Sequence, residues 1–202
     1  MLVQEQLRVA IRHRNWDAGG GQRYLLPAHL LVFYLDLLGL PPALDELQRW
    51  SNSTDQNWYS KMVDHVLASP RYGERWGRYW LDLAGYADSE GGTSADPLRP
   101  VAWKYRDYVI GAFNADKPYN DFLTEQLAGE ELLGQSQTTT ITTETVDKLV
   151  ATGFLRMGID ETGSRTMNFV PERLKVVADA LSVVSSGLMG LTMECARCHS
   201  HK

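Results

Sequence analysis

Apolar residues recur at three- and four-residue steps along nearly the whole chain, which is the spacing of one face of an α-helix. In RYGERWGRYWLDLAGYAD, Tyr72, Trp76, Tyr79, Trp80, Leu83 and Tyr86 form a stripe, while Arg71, Glu74, Arg75, Arg78 and Asp82 share the other side. VAWKYRDYVIGAFNA carries a second stripe through Val101, Tyr105, Tyr108, Val109 and Ala112. The same pattern predicts helices over about 22–38, 43–50, 55–68, 118–133, 143–156 and 171–188. The stripes at 72–86, 101–113 and 174–188 are expected to pack together, with Trp76, Trp80, Tyr105, Val109, Leu174, Val177 and Leu181 inside. DAGGGQ, GLPP and SEGGTSADPLRP interrupt the helices, and GQSQTTTITTE reads as a surface loop. Alternation is scarce, TTTITTET being the one strand candidate. The fold class expected is all-α, an irregular bundle of about seven or eight helices with long polar loops.

Composition changes this picture only at its edges. A chain of 202 residues, 44% hydrophobic, with six Trp and nine Tyr, has enough apolar surface to bury a core. The net charge of −5 offers no basic face for nucleic acid. The best apolar run, LLPAHLLVFYLDLLGL, carries His29 and Asp36 and falls short of the roughly 20 residues a bilayer crossing needs. Glu5, Arg8 and Arg12 interrupt the first stretch, so it does not read as a signal peptide.

The candidate chemistry sits in MECARCHSHK. Cys195 and Cys198, the only cysteines, precede His199 in the pattern C-x-x-C-H, the attachment signature of c-type haem. Two thiols about one turn apart can each form a thioether with one haem vinyl, leaving the adjacent His199 under the iron as an axial ligand. Zinc is an alternative, through Cys195, Cys198, His199 and His201, although ligands so close in sequence strain a tetrahedron. A C-x-x-C redox pair and two plain buried cysteines complete the alternatives. His201, two residues past His199, is better placed for a propionate, a second haem or a metal than for the opposite face of the same haem. Met157, Met167, Met189, Met193 and His65 are the candidate distal ligands, and the sequence does not rank them.

LLGLPP, SPRYGERWGRYWLDLAGYADSEG, AWKYRDYVIGAFNADKPYNDFLTEQLAGEELL, ATGFLRMG and GLTMECARCHSHK, in that order, resemble the planctomycete cytochrome-c-associated domain of unknown function, the PSCyt type. The resemblance covers residues 30–202 and leaves 1–29 as a divergent lead-in. It implies a domain of a large exported protein that works beside other domains, in the periplasm or otherwise outside the cytoplasm. It also implies covalent haem c on Cys195 and Cys198 with His199 on the iron; electron transfer with a redox partner is the function expected of such a domain. No catalytic residue follows from it. Gly85 stands where arginine is more usual, and Ser200 where aspartate is. Relatives continue past the motif with a segment beginning Phe-Asp-Pro, so the chain reads as a fragment, incomplete at the C-terminus and at the N-terminus.

Asp82, Asp88, Glu90 and Asp96 bracket the loop after the first aromatic helix. Paired carboxylates there would suit acid and base work on a sugar or a hard cation, and acidic residues beside glycines also build turns. The alternatives to haem are therefore a zinc- or calcium-dependent module acting on polysaccharide or sulfated glycan, and a non-catalytic structural domain.

Overall fold

The structure, a computed structural model, describes residues 26–91, 96–134, 141–159 and 170–198. Within them lie eight α-helices and no β-strand. These are α1 Leu26–Leu38, α2 Leu44–Ser51, α3 Trp58–Leu67, α4 Arg71–Ala84, α5 Ala102–Asn114, α6 Tyr119–Gly134, α7 Thr143–Ala151 and α8 Val170–Met189, with 3₁₀ turns at Thr152–Arg156 and Glu194–Arg197. The all-α expectation holds, and the helices fall close to the predicted ranges. The strand candidate does not survive where it is described. Thr142 takes an extended backbone and its hydroxyl accepts the Thr145 N–H at 3.2 Å, so the threonine run supplies the N-cap and first turn of α7.

The chain divides into two units. The described residues up to Arg78 join Ile110–Tyr119 in the first, and those of Tyr79–Val109 join the described residues from Asn120 onward in the second. Helices α4 and α5 thus contribute to both.

In the first unit, Pro27 lies in the opening turn of α1, where its missing N–H costs no hydrogen bond. The helix stops at Gly39, whose φ of +72° only glycine adopts readily, and Gly39 N–H closes on Leu35 O at 3.0 Å. Leu30, Tyr34 and Leu37 of α1 meet Trp50 of α2, Met62, Val63, Val66 and Leu67 of α3, and Tyr72 of α4. The polar ends of this aromatic core are satisfied: Trp50 Nε1 donates to Tyr34 Oη at 3.0 Å and Trp76 Nε1 to Leu37 O at 3.1 Å. Asn114 ties α4 down, accepting the Gly73 N–H at 2.8 Å and donating to Pro70 O at 3.0 Å.

Burial pushes the Tyr34 phenol up to about 12, with the Glu46 carboxylate adding to the shift. It does the same at Tyr72, where Asp116 adds to it. A phenol that holds its proton more tightly when folded stabilises the fold fully below its unfolded value of about 10 and loses that stabilisation as pH rises toward about 12. The urea midpoint is therefore expected to fall between pH 9 and pH 12 while staying level from pH 7 to pH 9. A level profile to pH 12 would contradict the burial of these phenols.

In the second unit, Trp80 and Tyr105 converge on a buried glutamine. Trp80 Nε1 donates to Gln126 Oε1 at 2.8 Å, and Tyr105 Oη donates to the same oxygen at 2.7 Å. Gln126 Nε2 in turn donates to Phe122 O at 3.1 Å, which leaves no amide group of this fully buried side chain without a partner. Phe122 and Phe154 flank the Trp80 ring with centroids 4.8 and 5.6 Å away. Gly129 lets α6 approach α7 closely, since a Cβ there would lie 2.2 Å from Lys148 O. Alanine is the better helix former by about 1 kcal/mol, yet the clash is with backbone that cannot swing aside. Gly129→Ala is expected to destabilise the protein by about 1–3 kcal/mol, read from denaturant midpoints. A variant as stable as the parent would mean that the crossing is looser than described.

Two packing expectations need correction. Trp76 joins the first core whereas Trp80, Tyr105 and Val109 belong to the second, so one aromatic stripe serves two cores. Leu174, Val177 and Leu181 are not inside but exposed, at 61%, 56% and 58%. Helix α8 has apolar residues on more than one side, and the face it turns inward carries Val176, Ala180 and Val183, which join Phe154 around one small cavity. Gly187 continues that face: a Cβ there would lie 2.6 Å from Leu83 Cδ1. Gly187 lets that side come close, which hydrophobic spacing alone does not reveal.

Candidate functional site

The site grows out of the end of α8. Gly190, at φ +66°, breaks the helix with a left-handed residue, and Leu191 N–H reaches back to Ser185 O at 2.9 Å. The chain then enters the 3₁₀ turn Glu194–Arg197, closed by Ala196 N–H to Met193 O at 3.0 Å and Cys198 N–H to Cys195 O at 3.2 Å. A 3₁₀ turn has three residues per revolution, so side chains at i and i+3 eclipse. Cys195 and Cys198 therefore share one side of the turn, and both are free thiols exposed to solvent.

The other side of the turn faces α8 across a groove of about 490 Å³. Ala196 and Arg197, the two residues between the cysteines, line it together with Met193, Leu181 and Ser182, and neither cysteine does. The two intervening residues thus border the groove while the thiols stand away from it. The alternative of two plain buried cysteines is overturned by their exposure. His199 and His201 lie outside the described residues.

The distal-ligand candidates separate by position. Met157 is buried in the second unit, and its carbonyl accepts the Arg99 guanidinium at 2.8 Å. His65 belongs to the first unit, where its Nε2 lies 3.0 Å from Glu46 Oε1. Met189 and Met193 are exposed close to the thiols in sequence, and Met193 caps the turn that carries them. Met167 lies outside the described residues.

The described ends of the acidic loop pair with one another. Ser89 and Leu98 form an antiparallel bridge, Glu90 N–H donates to Pro97 O at 3.1 Å, and Arg99 N–H to Asp88 O at 2.8 Å. Asp88 accepts the Tyr86 hydroxyl at 2.7 Å, and Asp96 accepts the Gly91 N–H at 2.8 Å. Burial first, and then the Asp88 carboxylate, push Tyr86 up to about 12. Both carboxylates are engaged in building the turn. Among the described residues no group of three or more His, Cys, Asp or Glu is placed to hold a metal ion. Sequence reasoning missed Arg99, whose guanidinium also donates to Gly158 O at 2.7 Å and so fastens the end of this loop to the segment after the 3₁₀ turn Thr152–Arg156. Nothing in its sequence neighbourhood marks a residue whose partners lie nearly sixty positions away.

The family model of PSCyt2, a protein of unknown function (DUF1549), matches residues 31–202. The chain belongs to the PSCyt2 family. No curated protein and no solved structure gives a significant match. The PSCyt2 match spans α1 onward from Leu31, all the other described helices and the whole of the C-x-x-C-H motif, so the thiol turn is part of the family's own domain. No helix among the described residues of this PSCyt2 chain is long and apolar enough to cross a membrane.

Proposed function

We propose that this PSCyt2 domain binds haem c covalently and serves electron transfer within a larger exported protein. The observation that carries the reading is the pair of free, exposed thiols on one side of a single turn, directly followed in sequence by His199. The donor set fits the group. Thioether attachment needs two accessible thiols on the same side of the chain and an imidazole next to them, and each of the three residue types is at the required position. When bound, haem supplies a one-electron redox centre. Cys195 and Cys198 would hold it through thioethers to its two vinyl groups, and the turn hydrogen bond between these residues sets their spacing. His199 would hold the iron through its imidazole. His201, two positions further along the sequence, is the candidate for a propionate, a second haem or a metal.

Attachment chemistry of this kind takes place outside the cytoplasm, so the working location proposed for the full-length protein is the periplasm or another extracytoplasmic space. Its partners would be the other domains of that protein and a redox protein.

The test is export of the chain into a compartment with cytochrome c maturation machinery. The purified protein is expected to keep its haem through denaturation and acid-acetone extraction. Stoichiometric zinc with no haem would transfer the assignment to a metal knuckle.

A further inference from the structure

We propose that Cys195 and Cys198 close reversibly into an intramolecular disulfide, making the C-terminal turn a two-electron thiol site that works without unfolding the domain. The pair is isolated from any competing partner, since the chain has no other cysteine. Both thiols are free and exposed, so an oxidant reaches them in the folded state. They lie at i and i+3 across a turn closed by Cys198 N–H to Cys195 O at 3.2 Å. With a rise of about 2.0 Å per residue and three residues per turn, their Cα atoms stand about 6 Å apart and their Cβ atoms point the same way, within the range a disulfide spans. Ala196 and Arg197, and not the cysteines, line the α8 groove, so the bond forms away from it.

The chemistry balances with a disulfide oxidant such as oxidised glutathione. One cysteine thiolate attacks a glutathione sulfur, forming a mixed disulfide and releasing one glutathione thiolate. The second cysteine then displaces the other glutathione, so that two protein thiols become one disulfide and two electrons and two protons end on two molecules of glutathione. The ring closed is short, so the bond constrains the unfolded chain little and gains little stability from doing so, which keeps it reducible by ordinary thiols. A thioether to haem needs each sulfur as a thiol. The disulfide and haem attachment therefore exclude one another, a consequence that rests on the haem reading, whereas the disulfide itself does not.

The experiment starts from the reduced, haem-free chain, equilibrated in buffers of reduced and oxidised glutathione and trapped with a maleimide mass tag. Both tags are expected to disappear together from monomeric protein with no glutathione adduct, to return together with dithiothreitol, and to leave the far-ultraviolet circular dichroism unchanged. In Cys195→Ser, Cys198 is expected to retain one glutathione instead. Disulfide-linked dimers as the main product, a stable glutathione adduct on the parent chain, or thiols still free in excess oxidised glutathione would each overturn the proposal. In a second arm the oxidised chain is offered to the haem attachment system before and after reduction. Attachment only after reduction supports the exclusion, and equal attachment to both forms overturns it. Absence of haem from the reduced chain sinks the haem reading and with it the exclusion, while the tag experiment still decides the disulfide.

Discussion

Replacing Trp80 with alanine is expected to cost about 3–5 kcal/mol, the range for emptying a large aromatic site in a core. The indole is only half-buried, but it sits where Phe122, Phe154, Tyr105 and Gln126 of the second unit meet. Loss of the hydrogen bond to Gln126 is partly covered, because Tyr105 Oη still donates to the same oxygen at 2.7 Å. Most of the cost therefore comes from the void between the two phenylalanines. Trp103 is the matched control: it lies outside the core at 47% exposure, and its indole donates to Pro100 O. Its alanine variant should stay within about 0.5 kcal/mol of the parent, as exposed positions do. Urea denaturation of the two variants side by side reads both values. A loss below about 1 kcal/mol at Trp80, the level of an ordinary substitution, would move it out of the core and favour a ligand-stacking role for its ring.

Cys198→Ala is expected to abolish the two-thioether attachment altogether, the largest functional effect of any single change in the domain. Both sulfurs lie on one side of the turn and no other cysteine can substitute. What remains is at most a single link through Cys195, with one vinyl left unsaturated. A pyridine haemochrome of that product should show its α-band at longer wavelength than the parent's, and the variant lacking both cysteines should lose its haem to acid-acetone. An unchanged band in Cys198→Ala would remove that thiol from the site.

The helices were legible because apolar residues at 3.6-residue spacing leave little room for another reading over ten or more positions. Which residues share a core was less so. Tyr72, Trp76 and Trp80 lie on one stripe of α4, yet the stripe is divided between two units, and a periodicity does not say which neighbour each turn of a helix meets. Helix α8 shows the same limit more sharply. Its apolar residues supply two faces, and the inward one is marked by Ala180 and Gly187 rather than by the larger Leu174, Val177 and Leu181. Gly187 permits a close approach there, a signal that hydrophobic spacing alone does not carry. In the threonine run, capping chemistry prevailed over β propensity because Thr142 stands one residue before an apolar helical pattern.

The thiol pair was legible as a motif from residue identity and spacing alone. Its exposure was not, because a cysteine is as much at home in a core as on a surface. That Gly190 ends α8 and turns the chain back on itself was readable from glycine after Leu-Met. That the turn then shows Ala196 and Arg197 to the helix and its cysteines to the outside depends on a groove that no local pattern encodes.

The measurement that bears most directly on the central claim is the intact mass of the denatured chain after export in a host that matures c-type cytochromes, taken with its haemochrome spectrum. Covalent attachment through Cys195 and Cys198 predicts one haem per chain, retained in denaturant, with both vinyls saturated. A chain recovered at its unmodified mass from cells that load a control cytochrome would contradict it.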